Sequence, residues 1–247
     1  MQDVELYFVA GALLLYLFDS SLLLYGDELL FASGPGGWHN VAGGGQLLLG
    51  RRLLLPNPLL PAARLLRVCW SRASAEVVVH ESPGPATPER VETMEFRRAL
   101  HPLQFGVVVL LLLIAVALPA LLFVFGQGLE VLLLLAAIYT LNLLMAAWLW
   151  RVRARLDLGK RACLLLTVDL LLCPPFAVNL VRKVSLQQQA TGDPLTFAQA
   201  RFGAARLRAL AAVLKRRVHA ELAAEEPNGA QQRKLQALMQ RIEALAA

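Results

Sequence analysis

The chain has 247 residues, of which 57% are hydrophobic, with a mean hydropathy of +0.55 and a formal charge of +6. That apolar share exceeds what soluble globular domains carry, and its clustering into long uncharged runs argues for a mainly α integral membrane protein. Cys69, Cys163 and Cys173 are scattered and odd in number, which speaks against a disulfide framework and for small thiols in apolar surroundings.

Residues 1–25 read as a first membrane helix. Leu6 to Phe18 is uninterrupted by charge, and Asp19, Ser20 and Ser21 follow. No Lys or Arg precedes Arg51 and no small-residue cleavage site follows, so the segment is expected to be a retained helix whose last turn reaches the interface near Asp19, not a signal peptide.

Residues 26–90 read as a small β-rich region ending in a linker. Short apolar runs at 22–25, 28–32, 46–49, 52–55, 65–70 and 77–80 are separated by turn residues, the spacing of several short strands. Leu is a poor strand former, which weakens that signal. Pro56-Asn57-Pro58-Leu59-Leu60-Pro61 predicts a stiff apolar surface loop, and ESPGPATPER at 81–90 predicts the linker.

Residues 91–150 predict an interfacial helix over 92–101 and then a transmembrane hairpin. Phe105 to Phe125 and Val131 to Trp150 contain no charged residue, and each as a helix is about 30 Å long, the thickness of a hydrocarbon core. The intervening 126–130 permits only a tight turn, and Pro119 predicts a kink that a lipid-facing helix tolerates.

Residues 151–183 predict a basic loop and a further membrane segment. The stretch 162–181 is long enough to cross and is uncharged except for Asp169, but Lys160 and Arg161 precede it and Arg182 and Lys183 follow it. Pro175 has no N–H, and Pro174 is pushed away from the α region by the proline after it, so the pair breaks the helix near its middle. The segment is therefore either a re-entrant wedge or a fourth, proline-kinked span.

Residues 184–247 predict an amphipathic helical hairpin. Leu207, Leu210, Leu214, Val218 and Leu222 recur at helical spacing, 225–229 interrupts the pattern, and Leu235, Leu238, Ile242 and Leu245 resume it as a short coiled-coil-like seam.

All twenty-four basic residues fall in three blocks: eight in 51–102, five in 151–161 and eleven from Arg182 onward. Basic flanks stay in the cytoplasm, so the 105–150 hairpin should have both ends inside and its Gly-containing turn outside, with the N-terminus outside and a wedge leaving the C-terminus inside. Arg outnumbers Lys twenty to four, a composition that suggests a high-GC bacterial genome and hence a multi-pass protein of the bacterial inner (cytoplasmic) membrane.

Polar residues inside apolar segments are the first site candidates, because a charge at the bilayer centre costs about 2.5–3.5 kcal/mol even on insertion scales. They are Asp19, Asn142, Asp169 and Asn179. Arg151, Arg153, Arg155, Arg206, Arg208, Lys215, Arg216 and Arg217 form the second group, suited to lipid headgroups at about 1 kcal/mol each or to a protein partner. No aromatic residues interleave with the basic ones of 206–217, which argues against nucleic acid.

The histidines, at 39, 80, 101 and 219, lack ligand spacing, and no metal or cofactor is expected. Gly43-Gly44-Gly45-Gln46 contains the tripeptide of class I peptide release factors, but nothing else resembles them and the stretch reads as a flexible loop. The Gly-rich 34–45 region lacks the ending of a phosphate loop, and no catalytic signature occurs; Trp38 within it reads as an aromatic at the membrane surface. The expectation is a non-catalytic assembly or scaffold subunit binding a partner or a second copy through its cytoplasmic β-region and C-terminal helices. The alternative is an enzyme or transporter component handling an anionic lipid or solute around Asp169.

Overall fold

The computed structural model describes residues 2–25, 28–34, 37–41, 51–69, 94–125, 128–187, 189–191, 194–224 and 230–246. The protein is mostly helical with a small β region, and two of its helices are long and apolar enough to cross a membrane. The expected strands at 46–49 and 77–80, the Gly-Gly-Gln stretch and the 81–90 linker lie outside the described residues.

Helix α1 (Gln2–Ser20) leads into strands β1 (Leu22–Leu24), β2 (Glu28–Gly34), β3 (Gly37–Asn40), β4 (Arg52–Leu54) and β5 (Leu65–Cys69). Helix α2 (Met94–Leu112) continues through a π-turn (Leu113–Ala117) into α3 (Leu118–Phe125). Pro119 explains the π-turn: it lacks an N–H and its ring would strike the carbonyl one turn back, and widening the helix just before it relieves the clash. The described part of the expected interfacial helix, from Met94 to His101, is continuous with this helix, and residues 92–93 lie outside the described residues. The apolar helix of Met94–Val124 has 31 residues, about 45 Å of rise, longer than a hydrocarbon core of about 30 Å.

Helix α4 (Leu129–Val152) returns beside it. Its buried residues Leu134, Ile138, Asn142, Met145, Leu149 and Val152 fall on one face, while Leu132, Leu133, Leu143 and Leu144 are exposed on the other. Only 28% of the most apolar stretch of each long helix is buried in the protein. A soluble core helix would be mostly covered, so these outward Leu faces fit candidate membrane spans better than core helices. Gly106 makes the helix crossing close: a Cβ there would lie 2.6 Å from the Met145 sulfur.

A turn at 153–157, in which Asp157 takes a left-handed φ of 52°, connects α4 to α5 (Lys160–Leu172). The prolines act where expected. Helix α5 stops at Cys173, Pro174 and Pro175 open the four-residue α6 (Pro174–Ala177), and α7 (Leu180–Leu186) follows.

Strand β6 (Gln189–Thr191) then joins the sheet, whose order is β3-β2-β5-β6. β2 is antiparallel to β3 and β5, whereas β6 runs parallel to β5, pairing Arg67 with Gln189 and Cys69 with Thr191. β1 and β4 form a separate antiparallel ladder with Leu23 opposite Leu53. Two strands escaped the sequence reading: β3, hidden in the Gly-rich region, and β6, whose three residues carry no strand signature.

Helix α8 (Pro194–Arg201) packs on the sheet through Phe197, which stacks on Phe31 at 5.2 Å and meets Trp38 edge-on at 5.7 Å. Trp38 is buried, so it belongs to this sheet–helix core and not to a membrane-surface loop. Helices α9 (Ala204–Ala224) and α10 (Ala230–Ala246) pack together as the expected hairpin. Leu210, Leu214, Val218, Leu235, Met239 and Ile242 are buried in the same apolar cluster as the sheet and the long helices. Much of the apolar stripe is therefore covered within the chain.

Candidate functional site

Three of the four polar candidates from apolar segments converge. Asn179, at the junction of α6 and α7, is buried, and its amide nitrogen donates to Asp19 Oδ2 at 3.0 Å and to the Tyr16 carbonyl at 3.3 Å. Its amide oxygen accepts from Ser20 Oγ at 3.0 Å and from Arg182 Nη1 at 3.2 Å. The Lys183 ammonium lies 2.8 Å from Asp19 Oδ1 and 2.8 Å from Asp169 Oδ2. Helices α1, α5 and α7 are tied at one point.

The second guanidinium nitrogen of Arg182 donates to the Leu60 carbonyl at 2.9 Å and to that of Asn57, and the Tyr16 hydroxyl donates to the Pro58 carbonyl. The Arg182 guanidinium stays a cation. Two carboxylates face two cations, and the cluster is neutral. Its side chains differ in exposure: Asp19 is 13% exposed, Lys183 21% and Asp169 44%.

Sequence reasoning missed Tyr16, Ser20, Arg182 and Lys183 as members. Arg182 and Lys183 read as a basic flank because nothing in the chain order signals that α1 will lie beside them. Their spacing held a usable clue, since Asn179, Arg182 and Lys183 fall three and four residues apart on one helical face.

Asn142 stands apart from this cluster, buried on α4, with its amide donating to the Leu170 carbonyl at 2.9 Å. Leu170 belongs to the last turn of α5, where Pro174 leaves a carbonyl without its helical donor, so Asn142 completes a broken helix end. Its Oδ1 is buried without a hydrogen-bond partner.

The basic candidates divide. Arg151 and Arg155 are exposed, and Arg153 lies over the Trp150 ring at 5.9 Å. Arg208 and Arg216 are exposed on α9. Arg206 donates to the Trp38 carbonyl at 3.1 Å, Lys215 pairs with Glu243 of α10 at 2.9 Å, and Arg217 is buried, donating to the Glu28 carbonyl at 2.7 Å. These three hold the hairpin together or dock it on the sheet.

Among the described residues, no three His, Cys, Asp or Glu side chains gather as metal ligands. The Asp19–Asn179–Lys183–Asp169 group has hydrogen-bond and ion-pair geometry but no paired nucleophile and base. No known protein family, curated protein or solved structure matches the chain.

Proposed function

We propose that the chain is a non-catalytic integral subunit of a bacterial inner membrane, which fixes a cytoplasmic body to the bilayer and presents it to a protein partner or a second copy. Helices α1, α2–α3 and α4 cross, with the N-terminus outside. The segment 160–186 enters from the cytoplasm and returns as a wedge. The β-region and the α9–α10 hairpin lie inside.

Several features support that topology. Helix α5 has 13 residues, about 20 Å of rise against a core of about 30 Å. The chain leaves the sheet at β5 and rejoins it at β6; with two crossings assigned to α2–α3 and α4, an α5–α7 segment that adds none keeps both strands on one side. The basic residues of 151–161 and those from Arg182 onward then share the cytoplasmic side.

The observation that carries the non-catalytic reading is the closure of the polar cluster on itself. Asn179 uses both ends of its amide and Lys183 bridges two carboxylates, which makes the group a tie between membrane segments. Partner contact falls to the outer face of α9, where Arg208 and Arg216 are exposed. Reversing both charges, Arg208→Glu with Arg216→Glu, should reduce the mass of the complex released by mild detergent. An unchanged mass would overturn the scaffold reading.

The exposure of Asp169 supports a second reading, in which it handles an anionic lipid or solute with the 151–155 turn. Unchanged lipid or solute handling by an assembled Asp169→Asn protein would end that alternative.

A further inference from the structure

The loop of residues 55–63 combines two properties that seldom occur together: its three leucines are exposed, and several of its backbone polar groups are occupied within the protein. Leu59 is 80% exposed, and Leu55 and Leu60 are exposed beside it. Pro56, Pro58 and Pro61 have no N–H to satisfy. The N–H of Leu59 donates to Asn57 Oδ1 at 2.9 Å, that of Leu60 to the Asn57 carbonyl at 3.2 Å, and that of Ala63 to the Leu60 carbonyl at 3.1 Å.

Four of the carbonyls are taken by side chains of α1, α2 and α7. Arg182 reaches those of Asn57 and Leu60, the Tyr16 hydroxyl reaches that of Pro58, and Gln104 reaches that of Ala62 at 3.2 Å. A loop meeting only water needs none of this, because water completes exposed carbonyls. A loop meeting lipid needs all of it, since hydrocarbon offers no partner and irregular backbone survives there only when its polar groups are satisfied by the protein.

Its position fits the same medium. Gln104, which holds Ala62, immediately precedes the uncharged stretch that begins at Phe105, and Phe105 and Val108 are exposed on that helix. A shallow cavity of about 290 Å³ lies between the loop and α2, lined by Leu59, Leu60, Gln104 and Val108 among others, so loop and span adjoin at the level where the helix turns apolar. Leu23 and Leu53, cross-strand partners in the β1–β4 ladder, expose the same kind of surface just before the loop. Arg51, at the foot of that ladder, is also exposed, as a residue facing anionic headgroups would be.

We propose that residues 55–60 are an interfacial membrane anchor: Leu59 and Leu60 insert among the lipid chains of the cytoplasmic leaflet, and the Arg182, Tyr16 and Gln104 side chains hold the loop backbone in the form that permits it. This rests on the reading of 94–152 as a transmembrane hairpin and adds a third kind of membrane contact to it.

A photo-cross-linking residue placed at position 59 of the full-length protein in anionic vesicles tests this, with position 112, exposed on the span, and position 208, exposed on α9, as references. The expected result is a lipid adduct at 59 with a yield comparable to that at 112, and none at 208. Adducts at 112 but not at 59, or at 59 only with protein, would overturn the anchor while leaving the span intact. Failure at 112 as well would overturn the hairpin on which the anchor rests.

Discussion

Asn179 donates a 3.0 Å hydrogen bond to Asp19 from 160 residues away in the chain, and through it the end of the first helix is held against the junction of α6 and α7. Replacing Asn179 by Ala removes one hydrogen bond from each of Ser20, Arg182 and Asp19, which keep their bonds to the Tyr16 carbonyl, the Leu60 carbonyl and Lys183. Each hydrogen bond so lost costs about 0.5–1.5 kcal/mol. The expected outcome is a clear drop in the thermal stability of the detergent-solubilised protein and faster proteolysis after α1.

The two carboxylates that share Lys183 should not be equivalent. Asp19 is 13% exposed and Asp169 is 44% exposed, so water screens the second ion pair more than the first. Asp19→Asn should therefore destabilise more than Asp169→Asn, and Lys183→Met more than either, because it leaves two carboxylates facing each other. Unfolding midpoints of the three single variants give the order directly.

At the crossing of α2 and α4, Gly106 leaves no room for a side chain beyond a movable Met145 thioether. Gly106→Ala should be tolerated, with Met145 shifting. Gly106→Leu should cost about 1–3 kcal/mol by overpacking and separate the helices, which cross-linking between cysteines placed on α2 and α4 would read as lost yield.

Neighbouring arginines on α9 should behave in opposite ways. Arg217 is buried against the Glu28 carbonyl, and its loss in Arg217→Met removes a charged hydrogen bond of about 1.5–3 kcal/mol. Arg216 is exposed, and Arg216→Met should stay within about 0.5 kcal/mol. Amide exchange in α9 separates them: faster in the first variant, unchanged in the second.

The two long apolar helices were legible because their signal is local. Phe105–Phe125 and Val131–Trp150 carry their uncharged length within the segment itself, and Pro174–Pro175 carries the break of α5 in the same way. Strands at 28–34 and 65–69 were legible from turn spacing despite their leucines, since burial in a sheet overrides weak propensity. What was not legible is long-range: the pairing of Gln189–Thr191 with Arg67–Cys69, and the meeting of Tyr16, Ser20 and Asn57 with Asn179 and Arg182. Neither leaves a periodic trace in the sequence.

The hairpin marks the same boundary. Its helical spacing was plain, and an apolar stripe calls for a cover, but the spacing could not say that α10 and the sheet would supply it. The basic residues beside the stripe were legible as charges, whereas the burial of Arg217 and the pairing of Lys215 with Glu243 depend on how the two helices meet.

In the proposed topology, residues 160–186 enter the membrane and come back out on the side where they began. A compartment-sensitive reporter in the 151–161 turn and another after Ala247, each in the full-length protein in intact cells, test it most directly. Both should report the cytoplasm, as the β5–β6 pairing requires when α2–α3 and α4 cross. Reports from opposite sides would contradict it, making the segment a fourth span and placing the α9–α10 hairpin outside.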